Sequence, residues 1–505
     1  MNMKKLYTIL LSAVCLFAFA SCDDFLDIKP TNYQDSDGSI QSYADAEVAM
    51  NGLVRGLLSG SLYGRNMMLY ADAKGGDFSV PSNGNGWDDL FGFSHSQISG
   101  AYGGFWQTGY NCMADINSVL TSLDAIEAAG TTDDFDNIRG MLLTYRGMIY
   151  FDLARLYGRD YAQDSNALAV PIVLEVNSAA RPARDLVKDV YAQARKDLAD
   201  AAPLISRNGD RGFIDYWGNR AILARIYMHM QKYNEALTVS KEIIEHFGPN
   251  GLYSNTEWAN SWKAKWQKES IIEFAVMDDE ADLGNNALGQ LFRKARDGGN
   301  SRIYGNFTAS DQFLARLSED PDDIRWSVMD LDGINDKEEY DLPTPRKGSV
   351  LKYVGGLARG GDGAAAATAV NIKYARLSEF YLVAAEAALK LNQKEDAAEY
   401  LQAIRKRSPN LAPATAQNIT LDMIMSEKSK EFATEGLRFW DRIRNDETIT
   451  YDDKLYGGEE VPHPDRPSTI NLKTFYKVIL PVPDFEMSNN KNIEQNDGYK
   501  RTGDQ

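Results

Sequence analysis

Leu223, Ala224, Tyr227 and Ala236 are spaced so that two antiparallel helices can approach closely, with small residues at the crossing and an aromatic filling the groove beside it. A shift of 161 positions places Ala384, Ala385, Ala388 and Ala397 on the same sites, and Leu401 and Ile404 continue the second helix. A third pair, 141–157 and 184–202, matches when the excursion carrying Pro171 is looped out. A recurring helical hairpin constrains the fold strongly, because one hairpin cannot bury its apolar side alone and must stack on another. Apolar residues keep helical spacing through most of the chain, and alternating stretches are short and few, so the class is mainly α. The expected helices are 42–58, 104–126, 134–157, 184–202, 216–230, 233–247, 310–318, 372–391, 394–407 and 419–434. Between them lie long irregular stretches, 60–100, 275–308, 330–370 and 445–475, rich in Gly, Asp and Asn; loops of that length in a compact protein usually carry function.

The beginning of the chain reads as a segment to be removed. Lys4 and Lys5 precede an apolar run, Leu6 to Phe19, that is too short for a comfortable membrane span. Phe19-Ala20-Ser21-Cys22 then has the form of a lipoprotein cleavage site, which makes Cys22 the expected lipidated first residue of an exported protein. The alternative is an ordinary secretory signal with an incidental cysteine. With 1–21 set aside, 484 of 505 residues remain, and the expected division is 22–250 and 251–505. The mature balance is 52 Lys and Arg against 72 Asp and Glu, or −20. That charge argues against nucleic acid and against electrostatic binding to an anionic surface, and suits a neutral ligand or a protein. Once Cys15 and Cys22 are accounted for, Cys112 is the only free thiol, inside a helical pattern that predicts a buried structural cysteine. His95, His229, His246 and His463 lie too far apart for a zinc site.

Longer strings carry a resemblance. The start "SCDDFLDIKP", then Trp106, Tyr110, Ile116 and Asn117, then "YRGMIYFDLARLYG" at 145–158, Arg181-Pro182 and Val190-Tyr191 run in order along the chain. They are followed by "YARLSEFYLVAAEAALKL" at 374–391, "KEFATEGLRFWDRIR" at 430–444 and "LPVPDFEMSNNKNIEQNDGY" at 480–499. Together these resemble the SusD/RagB family of outer-membrane lipoproteins over the whole mature chain. Asp497 and Asp160 depart from the family pattern, at positions where it commonly has proline. The resemblance implies tetratricopeptide-like helical hairpins with long irregular ligand-binding loops, no cofactor, and attachment to the outer membrane through lipid on Cys22. It also implies a SusC-like TonB-dependent barrel as partner, to which the lipoprotein delivers a captured oligosaccharide or, in the RagB branch, a peptide.

A glycan site needs exposed aromatic faces to stack on sugar rings and polar groups to orient hydroxyls. Trp87 lies in the loop "DFSVPSNGNGWDDLFGF" at 77–93, flanked by Asn83, Asn85, Asp88 and Asp89, with no helical pattern to bury it. In the family a tryptophan in the loop before the Trp106 helix often serves the ligand, which makes Trp87 the expected central stacking residue; the alternative is that it packs under its own loop. Tyr304 is a second face and Arg302 a hydrogen-bond fork in 281–308, where the family often places binding aromatics, with Asn85 and Asp88 as polar candidates and Tyr70 and Tyr63 as lesser ones. Trp258, Trp262 and Trp266 recur every four residues and read as a core stripe on one helical face. Trp106, Trp217 and Trp440 read as framework, and Glu435, Arg438, Asp441 and Arg442 as ion pairs and caps.

Enzyme chemistry finds no foothold. A glycoside hydrolase needs two acids on opposed walls of a cleft, and nothing selects a pair among 72. The Gly-rich run at 355–363 lacks the Lys-Ser/Thr of a nucleotide loop, and no Gly-x-Ser-x-Gly or His-Glu-x-x-His occurs. Acids around Asp330 to Asp341 do not space as a calcium loop. The expectation is a surface glycan-binding lipoprotein without catalysis; an oligopeptide binder, a purely structural adaptor and a lipid-anchored hydrolase are the other readings.

Overall fold

The computed structural model describes residues 40–80, 87–277, 283–292, 306–330, 348–353, 369–453 and 466–499. All three expected hairpins form: Asp136–Tyr157 lies on Val187–Ala201, Tyr216–His229 on Tyr233–Phe247, and Leu377–Lys390 on Lys394–Arg405. Tyr233–Phe247 also packs on Leu377–Lys390, so the second and third hairpins stack into one layer. The small residues that marked the repeat are the ones at these crossings: Ala224, Ala236, Ala384, Ala385, Ala388 and Ala397 are all fully buried. In the first hairpin Gly147 does the same work, since a Cβ there would stand 2.9 Å from the carbonyl oxygen of Ala194. The helices start where side chains can satisfy their free N–H groups. Asp215 accepts from Trp217 N and Gly218 N at 2.9 and 3.0 Å, and Thr420 accepts from Met423 N at 3.2 Å.

The main apolar core draws on residues from Ile40 to Ile493, and a second one, between Met228 and Phe432, fills the stacked hairpins. Residues on both sides of position 250 contribute to each. Cys112 is buried within the main core, and burial pushes its thiol up to about 12. The closing signature ties the C-terminal segment to the helices. Asn496 donates to the carbonyls of Tyr157 and Leu480 and accepts from Arg184, while His95 Nε2 and Tyr499 Oη lie 2.8 Å apart. Asp160, one of the two departures from the family pattern, caps the short helix Tyr161–Asp164 and pairs with His229 Nδ1 at 2.5 Å.

Three expectations need correction. The stretch 372–391 is not one helix: Ile372–Arg376 is a strand, antiparallel to Ser270–Phe274, and the helix starts at Leu377. All five strand residues are buried, and a short run buried on every side has no periodicity to distinguish strand from helix. The stretch 60–100 is not irregular throughout, since Asn66–Lys74 is a helix; every residue of it is buried, so it has no polar stripe to betray it. The tryptophan stripe is broken as well. Trp258 and Trp262 are core residues, but the helix ends at Ser261, and Trp266 stands outside it with φ +46°.

The expected framework roles of Trp106, Trp217 and Trp440 hold, for all three are buried. So do the ion pairs: Arg438 meets Asp77 at 3.2 Å, Arg442 meets Glu447 at 2.8 Å, Asp441 meets Lys428 at 3.0 Å and Glu435 meets Arg376 at 2.6 Å.

Candidate functional site

The Trp87 loop at 77–93 and the stretch 281–308 are neighbours in space through their described residues. Phe78–Ser79 pairs antiparallel with Thr308–Ala309, in the register Phe78 to Ala309 and Ser79 to Thr308. Ser310 reinforces this ribbon, its N–H donating to Asp77 O at 2.9 Å and its hydroxyl to Gly76 O at 2.9 Å. Beneath it, Phe78 packs against Phe292 at 5.0 Å and Phe313 at 6.1 Å between ring centroids. Phe307 N donates to Leu291 O, and Val350 N to Phe292 O. The aromatic floor thus fixes residues 78–80, 283–292 and 306–310 as one unit.

Trp87 stands at the edge of this unit and is half-buried. Its ring lies 6.2 Å from Phe307 at 62°, edge to face, and the Arg65 guanidinium carbon sits 5.0 Å from the ring centroid. The carbonyl of Trp87 accepts from Leu90 N and Phe91 N, which starts the short helix Asp88–Phe91. At the far end of that helix Arg466 lies over two rings, 4.3 Å from Phe91 and 4.0 Å from Tyr451. Ser79, Ser310, Gln312, Tyr451, Asp453 and Arg466 line a polar recess there. Asp453 is held by the Ser79 hydroxyl and by Asp311 N at 2.9 Å, and burial raises its pKa.

Of the residues expected at the site, Trp87 is therefore placed at the junction of the two stretches, with part of its surface in the core. Asp88 opens the short helix; its side chain, like Asn85, Arg302, Tyr304 and Cys22 as a whole, lies outside the described residues. Tyr70 is a correction. It is fully buried, stacked on Trp440 at 5.5 Å and edge-on to Phe105 and Phe439, so no face is left for a ligand. Burial also raises its hydroxyl pKa well above the usual tyrosine range. Tyr63 is equally enclosed, donating to Asp152 Oδ2 at 2.6 Å. Sequence reasoning missed Arg65, Phe307 and Arg466. Phe307 falls inside the 281–308 window, but nothing in the sequence marks Arg65 as a neighbour of Trp87 or Arg466 as a neighbour of Phe91.

Among the described residues, no group of three His, Cys, Asp or Glu side chains could hold a metal ion, and no helix is long and apolar enough to cross a membrane.

Comparison with known proteins agrees with this architecture. Residues 24–228 match a family model described as starch-binding associating with outer membrane, and residues 330–499 match the SusD family model. The chain is 25% identical over 336 residues to SusD-like protein P25 of Formosa agariphila, covering 63% of this chain and 60% of that protein. A SusD superfamily protein from Bacteroides thetaiotaomicron superposes with a TM-score of 0.79 at 27% identity, over 90% of this chain and 99% of that one. Surface glycan-binding protein A from the same species shares the fold, with a TM-score of 0.70 at 19% identity over 90% and 99% of the two chains. With both family models matched in chain order and near-complete superposition on a superfamily structure, this chain belongs to the SusD/RagB family.

Proposed function

We propose that the protein captures glycan at the cell surface, anchored through lipid on Cys22, and hands it to a SusC-like TonB-dependent barrel. The observation that carries this reading is the half-exposed indole of Trp87, held edge-on by Phe307 at the margin of the unit formed by residues 78–80, 283–292 and 306–310. Half-exposed aromatics on a rigid support suit sugar stacking, because the ring meets the apolar face of a pyranose without first being ordered. Two further facts support it: one matched family model is described as starch-binding, and a protein of the same fold is a surface glycan-binding protein. Phe307 holds the indole edge-on; in sequence Arg302 and Tyr304 precede Phe307, and Asn85 and Asp88 flank Trp87. The protein makes and breaks no bond; capture and release do the work.

Affinity electrophoresis of the mature chain through gels containing single polysaccharides tests the proposal. Retardation by one polysaccharide, lost in Trp87→Ala, is the expected outcome. Retardation unchanged in that variant refutes the site, and release of reducing ends from the bound polysaccharide refutes the non-catalytic reading.

A further inference from the structure

Arg65 and Arg466 flank the Trp87–Phe91 segment, one at each end, and both are half-buried against aromatic rings. An arginine so placed has five N–H donors to satisfy. Arg184 shows how this fold treats a buried guanidinium that has no carboxylate: it donates to the carbonyls of Ala169, Tyr157, Leu168 and Glu494 and to Asn496 Oδ1. Arg65 and Arg466 are not treated that way. Arg65 donates from Nε to Asn66 Oδ1 at 2.8 Å and, at a long 3.4 Å, from Nη1 to Asn286 O. Among the described residues Arg466 donates only from Nη1 to Phe91 O at 3.3 Å, and its buried Nε has no partner there. Neither makes an ion pair with a carboxylate among the described residues, whereas Arg325, Arg376, Arg407 and Arg444 deeper in the fold all do. At the Arg466 end Asp453 attracts the guanidinium electrostatically without forming an ion pair, being hydrogen-bonded by Ser79 and Asp311 N, and Asp452 is held by Gln312 at 2.7 Å. Asp89, on the solvent side, is tied to the hydroxyls of Ser94 and Ser99.

We infer that Arg65 and Arg466 form an anion-recognising pair along the edge of the Trp87 site, so that the glycan taken there carries carboxylate or sulfate groups. This rests on the glycan-binding reading given above and narrows it. Uronate and sulfate oxyanions share the chemistry that fits: acceptors that take two N–H donors from one guanidinium, at a spot where aromatic rings already lie against that guanidinium. Burial lowers the pKa of both side chains, that of Arg466 to about 10, and leaves both charged at neutral pH. The chain as a whole, at −18, repels polyanions, so affinity for one would be the property of a local site and not of general charge.

The test uses the full mature chain in gels of polygalacturonate, carrageenan, amylopectin and laminarin. The expected result is retardation by polygalacturonate or carrageenan, weakening as sodium chloride rises from ~0.05 to ~0.5 M. Arg65→Gln and Arg466→Gln should each weaken it roughly tenfold, the loss of one charge-assisted contact. Arg55→Gln, a change at an exposed arginine on the helix Tyr43–Leu57, should leave it unchanged. Retardation by polygalacturonate alone identifies a uronate ligand, and by carrageenan alone a sulfated one. Retardation only by a neutral gel, lost in Trp87→Ala and kept in both Arg→Gln variants, overturns this inference and leaves the glycan reading standing. Anionic retention that both variants keep also overturns it. No retention by any gel overturns both. Thermal unfolding of each variant shows whether it is folded, and where Arg65→Gln is not, Arg65→Lys keeps the charge, loses the fork and should fall between wild type and Gln.

Discussion

Glu431→Gln is the most informative single change to the scaffold. Glu431 sits at the centre of ten buried charges whose side chains are at most 3% exposed: Arg325, Lys352, Arg376, Arg407 and Lys430 against Glu269, Asp323, Glu427, Glu431 and Glu435. Five cations balance five anions, so removing one carboxylate leaves an uncompensated cation in a desolvated interior. Glu431 pairs with Arg407, with Arg376 at 2.7 Å and with Arg325 at 3.7 Å, and accepts from Trp258 Nε1 at 3.3 Å. Burial alone would raise its pKa, but the three guanidinium groups outweigh it and hold the carboxyl well below the usual range. Breaking a buried pair from one side costs about 3–5 kcal/mol. At ~2.1 cal/mol/K per residue, the unfolding entropy of a chain this long is about 1 kcal/mol/K, so Tm should fall by about 3–5 °C. Adding Arg407→Met removes one cation, restores the balance and should recover at least about 1 kcal/mol relative to the sum of the single changes. Differential scanning calorimetry on the four proteins measures both quantities. A Tm loss in Glu431→Gln below about 1 °C, or strict additivity in the double variant, would show that the cluster is hydrated and refute the argument.

Asp77 supplies a pH dependence. Burial pushes its carboxyl up, but Arg316, Arg438, Arg442 and the Ser429 hydroxyl together bring it down to about 2. A depressed folded-state pKa gives stability that is present above the unfolded value near 4 and is lost as pH falls toward 2. Unfolding midpoints in urea should therefore drop between about pH 5 and pH 2, and less steeply in Asp77→Asn, whose midpoint at pH 7 starts lower. Gly436→Ala should cost about 2–4 kcal/mol, since φ is +73° there and a Cβ would stand 2.7 Å from Met68 Cα; a chemical-denaturation midpoint equal to wild type refutes this. Cys112 should resist a thiol reagent in the native state and react fully in guanidinium, because it is buried and its thiol is pushed up to about 12.

The helical hairpins were legible because their signal is local: a period of 3.6 with small residues at the crossings is written along each helix. The order of the family motifs along the chain likewise carries the resemblance to SusD/RagB. What the sequence did not disclose depends on contacts between distant segments. Asn66–Lys74 is buried on every side, so Tyr70 read as a loop tyrosine when it is a core ring against Trp440. Ile372–Arg376 is a strand because Ser270–Phe274 is there to pair with it. Trp266 leaves the stripe because the helix ends at Ser261, an end that spacing alone does not encode. At the candidate site, composition marked four Gly-, Asp- and Asn-rich stretches, a local property, and the family resemblance drew attention to two of them, the loop of Trp87 and 281–308. Only the tertiary structure brought Arg65 from one part of the chain and Arg466 from another against Trp87 and Phe91, and only it left their N–H donors without carboxylate partners. Unmet hydrogen-bonding capacity is a property of the packed environment, decided by which backbone and side chains arrive from elsewhere.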